Sequence, residues 1–462
     1  MRTIKTGDGK VITLNDQQNE ALQLLDEWKN DDKALFFLLA GYAGTGKTTI
    51  SKEFLDSCPN WTIAVSAPTH VAKNIIEVST GREGATLSSL MGIGPDTDVD
   101  DYDPDNPKFK EKRSPDFSKY NLVVVDESSM VNKALTKSLL AIAARFKTKV
   151  LFMGDKAQLP PIGEVVSDIF TTEQISYKYQ LTEVMRQTDG NSLQDLYTKL
   201  RNNLQDPNGG IDKVSNLNSE GEGYEFIKLN RFATEISKKY TDPLFSPHSV
   251  KVLCWTNDEV QSWNKYIREK RMNALHPNTN IGIVFPGDVL MGMARRGEAI
   301  INSEQYLVKT CKLEMQTFVT GRLMGENMET NLFLIRVECT QVSNNANRVI
   351  YILNHNDPRA VKTWRDIYNY ELNRATRTKK WHAFMDFRAR AILMAPINVG
   401  AKNPVGPDID YGYAMTVHKS QGSTYDEVFI HKDIWRNPII VERNQLKYVA
   451  ASRPRKAAHF LI

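Results

Sequence analysis

The chain has little cysteine and no long apolar run. Its four cysteines, Cys58, Cys254, Cys311 and Cys339, are widely spaced and form no CxxC pair. That argues against a disulfide framework or a zinc site and for a reducing compartment. The longest apolar run, Ala34 to Ala40, is far below the roughly 20 residues of a membrane span. The opening Met-Arg-Thr-Ile-Lys leads into no apolar segment of signal-peptide length, so the cytoplasm is the expected location and no membrane partner is expected. Neither sign of charge dominates. With 59 basic and 55 acidic residues the net is +4, too small to mark a nucleic-acid binder, so any such role must rest on local patches. No internal repeat is present, and one acidic loop is the sole biased tract. What is there is 462 residues, 41% hydrophobic and 25% charged, an ordinary globular composition with chain enough for two to four domains.

The first third has a rhythm. Ala34–Ala40, Trp61–Ser66, Asn121–Val125 and Lys149–Met153 are short apolar runs that each end in a polar motif. Helix-like stretches, Thr48 to Asp56 and Val71 to Val78, lie between them. Runs apolar throughout suit the strands of a parallel sheet covered on both faces. In such sheets ligands bind at the carboxyl ends of the strands, where all four motifs fall. Residues 94–118 interrupt the pattern with an acidic, turn-rich segment and then Lys108-Phe-Lys-Glu-Lys-Arg113, a small hairpin or loop leaving the sheet.

A second alternation follows. Val250–Trp255, Gly412–Val417, Glu427–His431, Gln445–Ala450 and Ala458–Ile462 read as strands of a second α/β domain. Its first strand precedes a long insertion, about 281–405, and the others follow it. Within the insertion Phe285–Leu290, Gln305–Val308, Asn331–Val337 and Arg348–Leu353 read as strands of a small barrel or meander. A helical arm over about 359–390 follows, with nine Lys/Arg against three acids and interleaved Trp364, Tyr368, Tyr370, Trp381, Phe384 and Phe387. Those aromatics either clamp a nucleic-acid strand or pack the arm on the barrel, with the basic face in solvent.

Gly41-Tyr-Ala-Gly-Thr-Gly-Lys47-Thr48 follows a strand and opens a helix, the setting of a phosphate-binding loop. Its glycines let backbone N–H groups curl around an anion, and the helix N-terminus adds its dipole. Lys47 is placed to reach the β- and γ-phosphates of ATP, and Thr48 to ligate Mg²⁺. Val123-Val-Val-Asp126-Glu127 is the natural companion. Asp126 is the second candidate for the metal, and Glu127 the base that activates a water.

Six further segments, in order, resemble the motifs of a superfamily 1 helicase. Leu14-Asn-Asp-Gln-Gln18 is similar to the Q motif, Ala67-Pro-Thr-His-Val-Ala-Lys73 to motif Ia, and Ala85-Thr86-Leu to Ib. Gly154-Asp-Lys-Ala-Gln158 is similar to motif III, Thr416-Val-His-Lys-Ser-Gln-Gly422 to V, and Tyr448-Val-Ala-Ala-Ser-Arg453 to VI. The short chain, the hairpin-sized first excursion and an insertion between Asn257 and motif V resemble the RecD-like branch, superfamily 1B, and within it the bacteriophage Dda helicases.

The resemblance implies an α/β fold of two RecA-like parallel-sheet domains. The first covers 1–85 and 119–190 and carries a pin hairpin at 86–118. The second covers 191–280 and 406–462 and carries an SH3-like β-barrel plus the basic arm at 281–405. It implies ATP-dependent 5′-to-3′ translocation on single-stranded DNA and unwinding of a forked duplex by a monomer, in replication or recombination and with replication or single-strand-binding proteins as partners. Catalytic roles fall to Lys47, Asp126, Glu127, Gln158 as γ-phosphate sensor, Arg453, and Arg186 in a segment that resembles motif IV. ATP is met by Gln18, Gly41, Ala43, Gly44, Thr45, Gly46, Lys47, Thr48, Thr49, Gln421 and Gly422. The strand's path is lined by Thr69, His70, Lys73, Thr86, Asn257, His418 and Lys419, with Phe109, or Tyr102, stacking at the fork.

A phosphate loop alone would serve a P-loop kinase or metabolic ATPase equally well, but such enzymes lack motifs Ia, III and V. An ATPase that displaces proteins, or one that acts on RNA, remains open, because phosphate contacts carry no sugar preference.

Overall fold

The structure is a computed structural model that describes residues 2–5, 11–95, 109–161, 163–185, 191–207, 209–323, 326–400 and 404–462. Three sheets organise it. The first is wholly parallel, with strands Tyr177–Leu181, Phe36–Gly41, Lys149–Gly154, Leu122–Val125, Ile63–Ala67 and Gly84–Thr86 side by side in that order. Every residue of Leu122–Val125 and Lys149–Gly154 is buried, as apolar-throughout runs require when helices cover both faces. Neighbouring Phe36 and Phe37 show the two-sided core. Phe37 packs with Trp28 and Phe54 on one face, and Phe36 with Phe117 and Phe152 on the other.

The second sheet orders Asn216–Leu217, Gly223–Ile227, Pro454–Leu461, Tyr425–Ile430, Val250–Cys254 and Ala414–Thr416, all parallel except the first pair. The two RecA-like parallel sheets expected from the motifs are therefore present.

After the helix Asn257–Leu275 the chain builds a third, antiparallel sheet, Asn347–Leu353, Glu326–Gln341, Gln305–Leu323, Val289–Gly292 and Ile409–Tyr411. It then re-enters the second sheet. Lys251 holds this junction. Fully buried, its ammonium donates to Gln305 Oε1 at 2.7 Å and to the Gly412 carbonyl at 2.6 Å, and desolvation pulls its pKa down to about 7. The first excursion begins as the strand pair Ile93–Pro95 with Phe109–Glu111; residues 96–108, including Tyr102, lie outside the described residues.

Three readings of the sequence need correction. Gln445–Ala450 is not a strand but part of the helix Ile440–Ala451. Asn444 to Ala451 are all buried, and a helix buried all round loses the 3.6-residue period that separates it from a buried strand. The strand expected at Phe285–Leu290 starts only at Val289, because Pro286-Gly287 turns the chain and Gly287 sits at φ 90°. Gly223–Ile227 was missed as a strand. Its central Glu225 is a charge in an otherwise apolar pattern, neutralised by His459 Nδ1 at 2.8 Å on the neighbouring strand.

The arm is two helices, Pro358–Thr378 and His382–Arg390. Trp364, Tyr368, Trp381, Phe384 and Phe387 are buried against Phe318, Leu332 and Leu334 of the antiparallel sheet. These five rings pack the arm onto the sheet. Among the described residues no helix is long and apolar enough to cross a membrane.

Candidate nucleotide cleft and strand face

Three adjacent strands of the first sheet deliver their polar ends to one place. Phe36–Gly41 runs into the phosphate-binding loop, Lys149–Gly154 into Asp155 to Gln158, and Leu122–Val125 into Asp126-Glu127. These ends face the second sheet across a cavity of about 640 Å³, within the range of small-molecule sites. Lys47, Thr48, Thr49, Asp126, Glu127 and Gln158 line one wall, and Gly422, Ser423, Tyr425, Arg453 and Arg455 the other.

The loop is held in shape from within. Gly46 has φ 84°, and a Cβ there would meet Gln18 Nε2 at 2.6 Å, so glycine is required twice over. Gln18 closes a capping box with Asn15 at the start of the helix Asp16–Asn30. Its amide also donates to the Thr45 carbonyl at 3.2 Å, bracing the loop from behind. The Thr45 hydroxyl donates to the Tyr42 carbonyl at 2.9 Å, and the Lys47 ammonium to the Gly41 and Tyr42 carbonyls at 2.7 and 2.9 Å.

The two acids stand side by side, and Asp126 is the perturbed one. Burial first, and then the charge of Glu127, push the Asp126 carboxyl up to about 7, against a hydrogen bond from the Glu127 N–H at 2.9 Å and the charge of Lys47. Glu127 itself has φ 50° and ψ 40°, a left-handed backbone rare for a non-glycine residue and a common mark of functional sites. A hydroxyl and two carboxylates form a hard-oxygen donor set, and a divalent cation would relieve the unfavourable Asp126 charge. Thr48 and Asp126 therefore fit Mg²⁺.

On the opposite wall Arg453 is only 5% exposed, yet its partners are neutral. It donates to the Val449 and Ser423 carbonyls at 3.0 and 3.3 Å and to Ser452 Oγ at 2.9 Å. No carboxylate pairs with it among the described residues, so its charge faces the cleft uncompensated. Arg455, two residues on, is exposed and 3.5 Å from Asp426. Arg186 lies outside the described residues. Gln421 does not line the cavity. Its amide reaches the Leu159 carbonyl at 3.5 Å, as Gln445 reaches the Gln158 carbonyl at 3.3 Å, and both bonds cross between the sheets.

Beside the cleft, Thr69 caps the helix His70–Thr80 through Ala72 N–H at 3.2 Å. Thr86 caps the short helix Leu87–Leu90. Lys73 is paired with Glu77 at 2.5 Å. His70 Nε2 stands 3.1 Å from Arg295 Nη1, and burial, Arg295 and Lys73 together hold the imidazole down at about 4. Asn257 is the exposed first residue of its helix, with Thr256 as cap. Lys419, on the turn His418–Ser420, has its ammonium 3.1 Å from Met293 Sδ. Phe109 is 62% exposed on the excursion strand.

Known proteins share this arrangement. Residues 13–221 match a family model described as an AAA domain, and residues 411–461 one described as the UvrD-like helicase C-terminal domain. The ATP-dependent DNA helicase dda of Enterobacteria phage T4 is 29% identical over 441 residues, covering 90% of this chain and 92% of its own. The ATP-dependent RecD2 DNA helicase of Deinococcus radiodurans is 33% identical over 158 residues, 34% of this chain and 20% of its own. In both matched domains and in these relatives the chain is similar to the RecD-like helicases of superfamily 1B. Its fold is also that of the Bacteroides Pif1 helicase crystallised with ADP-AlF3 and ssDNA, with a TM-score of 0.51 at 17% identity over 97% of this chain and 92% of that one.

Two features of this helicase escaped its sequence. Tyr448 and Asp155 sit inside recognised motifs, but nothing in the motifs says that they touch each other. Arg295 belongs to no motif; its one signal is the Arg295-Arg296 doublet in a turn, too common to single out.

Proposed function

We propose that this helicase hydrolyses ATP with Mg²⁺ at the seam between its two parallel sheets, and that the cycle drives it 5′ to 3′ along single-stranded DNA and opens a forked duplex. The observation that carries this reading is that Lys47 and Arg453 line opposite walls of one cavity. A triphosphate gripped from both walls favours the closed arrangement, and its hydrolysis removes that preference, so affinity for the two states becomes motion.

The residues divide the work. Lys47 and the loop N–H groups hold the β- and γ-phosphates, and Thr48 and Asp126 would hold Mg²⁺, which neutralises phosphate charge when bound. Glu127 accepts the proton of the attacking water, Gln158 senses the γ-phosphate, and Arg453 and Arg186 meet the charge that builds on it. Thr69, His70, Lys73, Thr86, Asn257, His418 and Lys419 track the strand, and Phe109 stacks at the fork on a pin formed by 86–118. The helicase works as a monomer in the cytoplasm, within replication or recombination.

Support for DNA as substrate comes from the phage T4 relative and from the ssDNA in the Pif1 crystal. Duplexes with a 5′ or a 3′ single-stranded tail, in DNA and in RNA, test the proposal. Unwinding of 5′-tailed DNA is the expected result. Unwinding of 3′-tailed DNA alone would falsify the polarity, and ATP turnover indifferent to added single strands would remove the motor.

A further inference from the structure

The turn at 293–296, at the start of the antiparallel insertion, touches both parallel-sheet domains at their strand faces. Met293 Sδ meets the Lys419 ammonium at 3.1 Å, and Arg295 Nη1 meets His70 Nε2 at 3.1 Å. The two arginines of the turn have different fates. Arg296 Nε is committed to Asp408 Oδ1 at 2.7 Å, a carboxylate with no exposed side-chain surface that also holds Arg388. Arg295 is exposed, has no carboxylate partner among the described residues, and makes only a 3.4 Å contact to the Gly297 carbonyl besides the imidazole.

Lys73, beside the same imidazole, is already paired with Glu77, whereas the Arg295 guanidinium has no carboxylate partner among the described residues, so an added anion would find its charge available. A guanidinium can only donate, so His70 Nε2 accepts from Arg295 Nη1 and steadies an otherwise exposed planar fork. Such a fork suits the two free oxygens of a phosphodiester.

We propose that Arg295 is a strand contact, seating one backbone phosphate of the single strand between the insertion and the His70 and Lys419 faces. This rests on the nucleic-acid reading above and adds to it a residue from outside the motifs. The insertion then takes a direct part in holding the strand, and a phosphate in that position is gripped by three segments at once, from 70–73, 293–296 and 418–419. Because the contact is to phosphate, it favours no base.

Binding of fluorescein-labelled oligo(dT) and oligo(dA) to the full chain, titrated from about 50 to 200 mM salt, tests the assignment. Arg295→Ala should weaken both oligonucleotides by about tenfold, the effect of losing one charge-assisted hydrogen-bonded contact. It should also flatten the slope of log K against log salt by about 0.7, the loss of one phosphate from a single strand. Arg295→Lys should keep the slope and lose part of the affinity. A circular dichroism melt matching the parent confirms that the exposed substitution leaves the fold intact. Unchanged affinity and slope in Arg295→Ala, with a parent that binds, overturns the assignment of Arg295 alone. A parent chain that does not bind oligo(dT) overturns the nucleic-acid reading and this inference with it.

Discussion

The Tyr448 hydroxyl donates to Asp155 Oδ2 at 2.5 Å, joining residues 293 positions apart and on opposite sides of the cleft. Both are essentially excluded from solvent. The same phenol oxygen lies 3.5 Å from the Ala43 N–H of the phosphate-binding loop, and one turn earlier on the same helix Gln445 holds the Gln158 carbonyl. One helix of the second domain thus touches the phosphate loop and the Gln158 loop, and that helix runs into Arg453. Replacing Tyr448 with Phe keeps the packing but leaves Asp155 Oδ2 buried without its donor, a cost of about 1–3 kcal/mol. A urea midpoint lowered accordingly, with strand-stimulated ATP turnover reduced more than the KM for ATP is changed, is the expected result. An unchanged midpoint would show that the bond contributes nothing.

The opposed cations of the cleft are predicted to separate binding from chemistry. Lys47→Ala should bind oligo(dT) yet hydrolyse no ATP. Arg453→Ala should retain nucleotide but lose about a thousandfold or more in turnover, as when an arginine finger is removed. Single-turnover rates and nucleotide titrations check both. Full turnover by Lys47→Ala would mean that the loop is not the phosphate site.

The arm's aromatics should behave as core. Trp364 is fully buried, stacks on Tyr368 at 5.0 Å and packs on Phe387 at 5.7 Å. Trp364→Ala should cost about 3–5 kcal/mol of stability, read as a lowered urea midpoint. Oligo(dT) affinity of the folded protein should stay at the parent value. Normal stability with weakened strand binding would mean that the ring serves the strand.

How much of this was legible beforehand follows from the kind of signal each residue carries. That Lys47, Asp126 and Gln158 meet in one cleft was readable because a strand end and a glycine-rich turn fix their surroundings locally. The buried helix Ile440–Ala451 was not, because burial on all sides erased its period. Gln18 shows a subtler limit. Its motif placed it at the nucleotide, and the structure adds that its amide is engaged with Asn15 and Thr45. Such local geometry depends on tertiary contacts with no sequence period. Glu225 interrupts an apolar stretch, and its partner His459, which lets the stretch be a buried strand, lies 234 positions away.

That last pairing makes stability depend on pH. His459 lies between Glu225 Oε1 at 2.8 Å and Glu427 Oε2 at 3.3 Å. Lys239 stands beyond Glu427 at 2.5 Å and Arg231 beyond Glu225 at 2.8 Å. Burial pulls the imidazole down, but the hydrogen bonds and charges of the two carboxylates outweigh it, so its folded pKa lies above 6.5. Burial also opposes the charged form of Glu427, yet His459 and Lys239 hold that carboxyl down to about 2. A raised histidine contributes its stability in full below pH 6.5 and loses it as pH climbs through the folded value. A depressed glutamate contributes above about 4.5 and loses it as pH falls toward 2. Thermal melts should therefore show the parent losing stability from about pH 6.5 upward as the imidazolium discharges between its carboxylates. His459→Gln, which cannot titrate, should be less stable than the parent at pH 6 and nearly flat over that interval. Equal slopes in the two proteins would mean that His459 carries no charge in the fold.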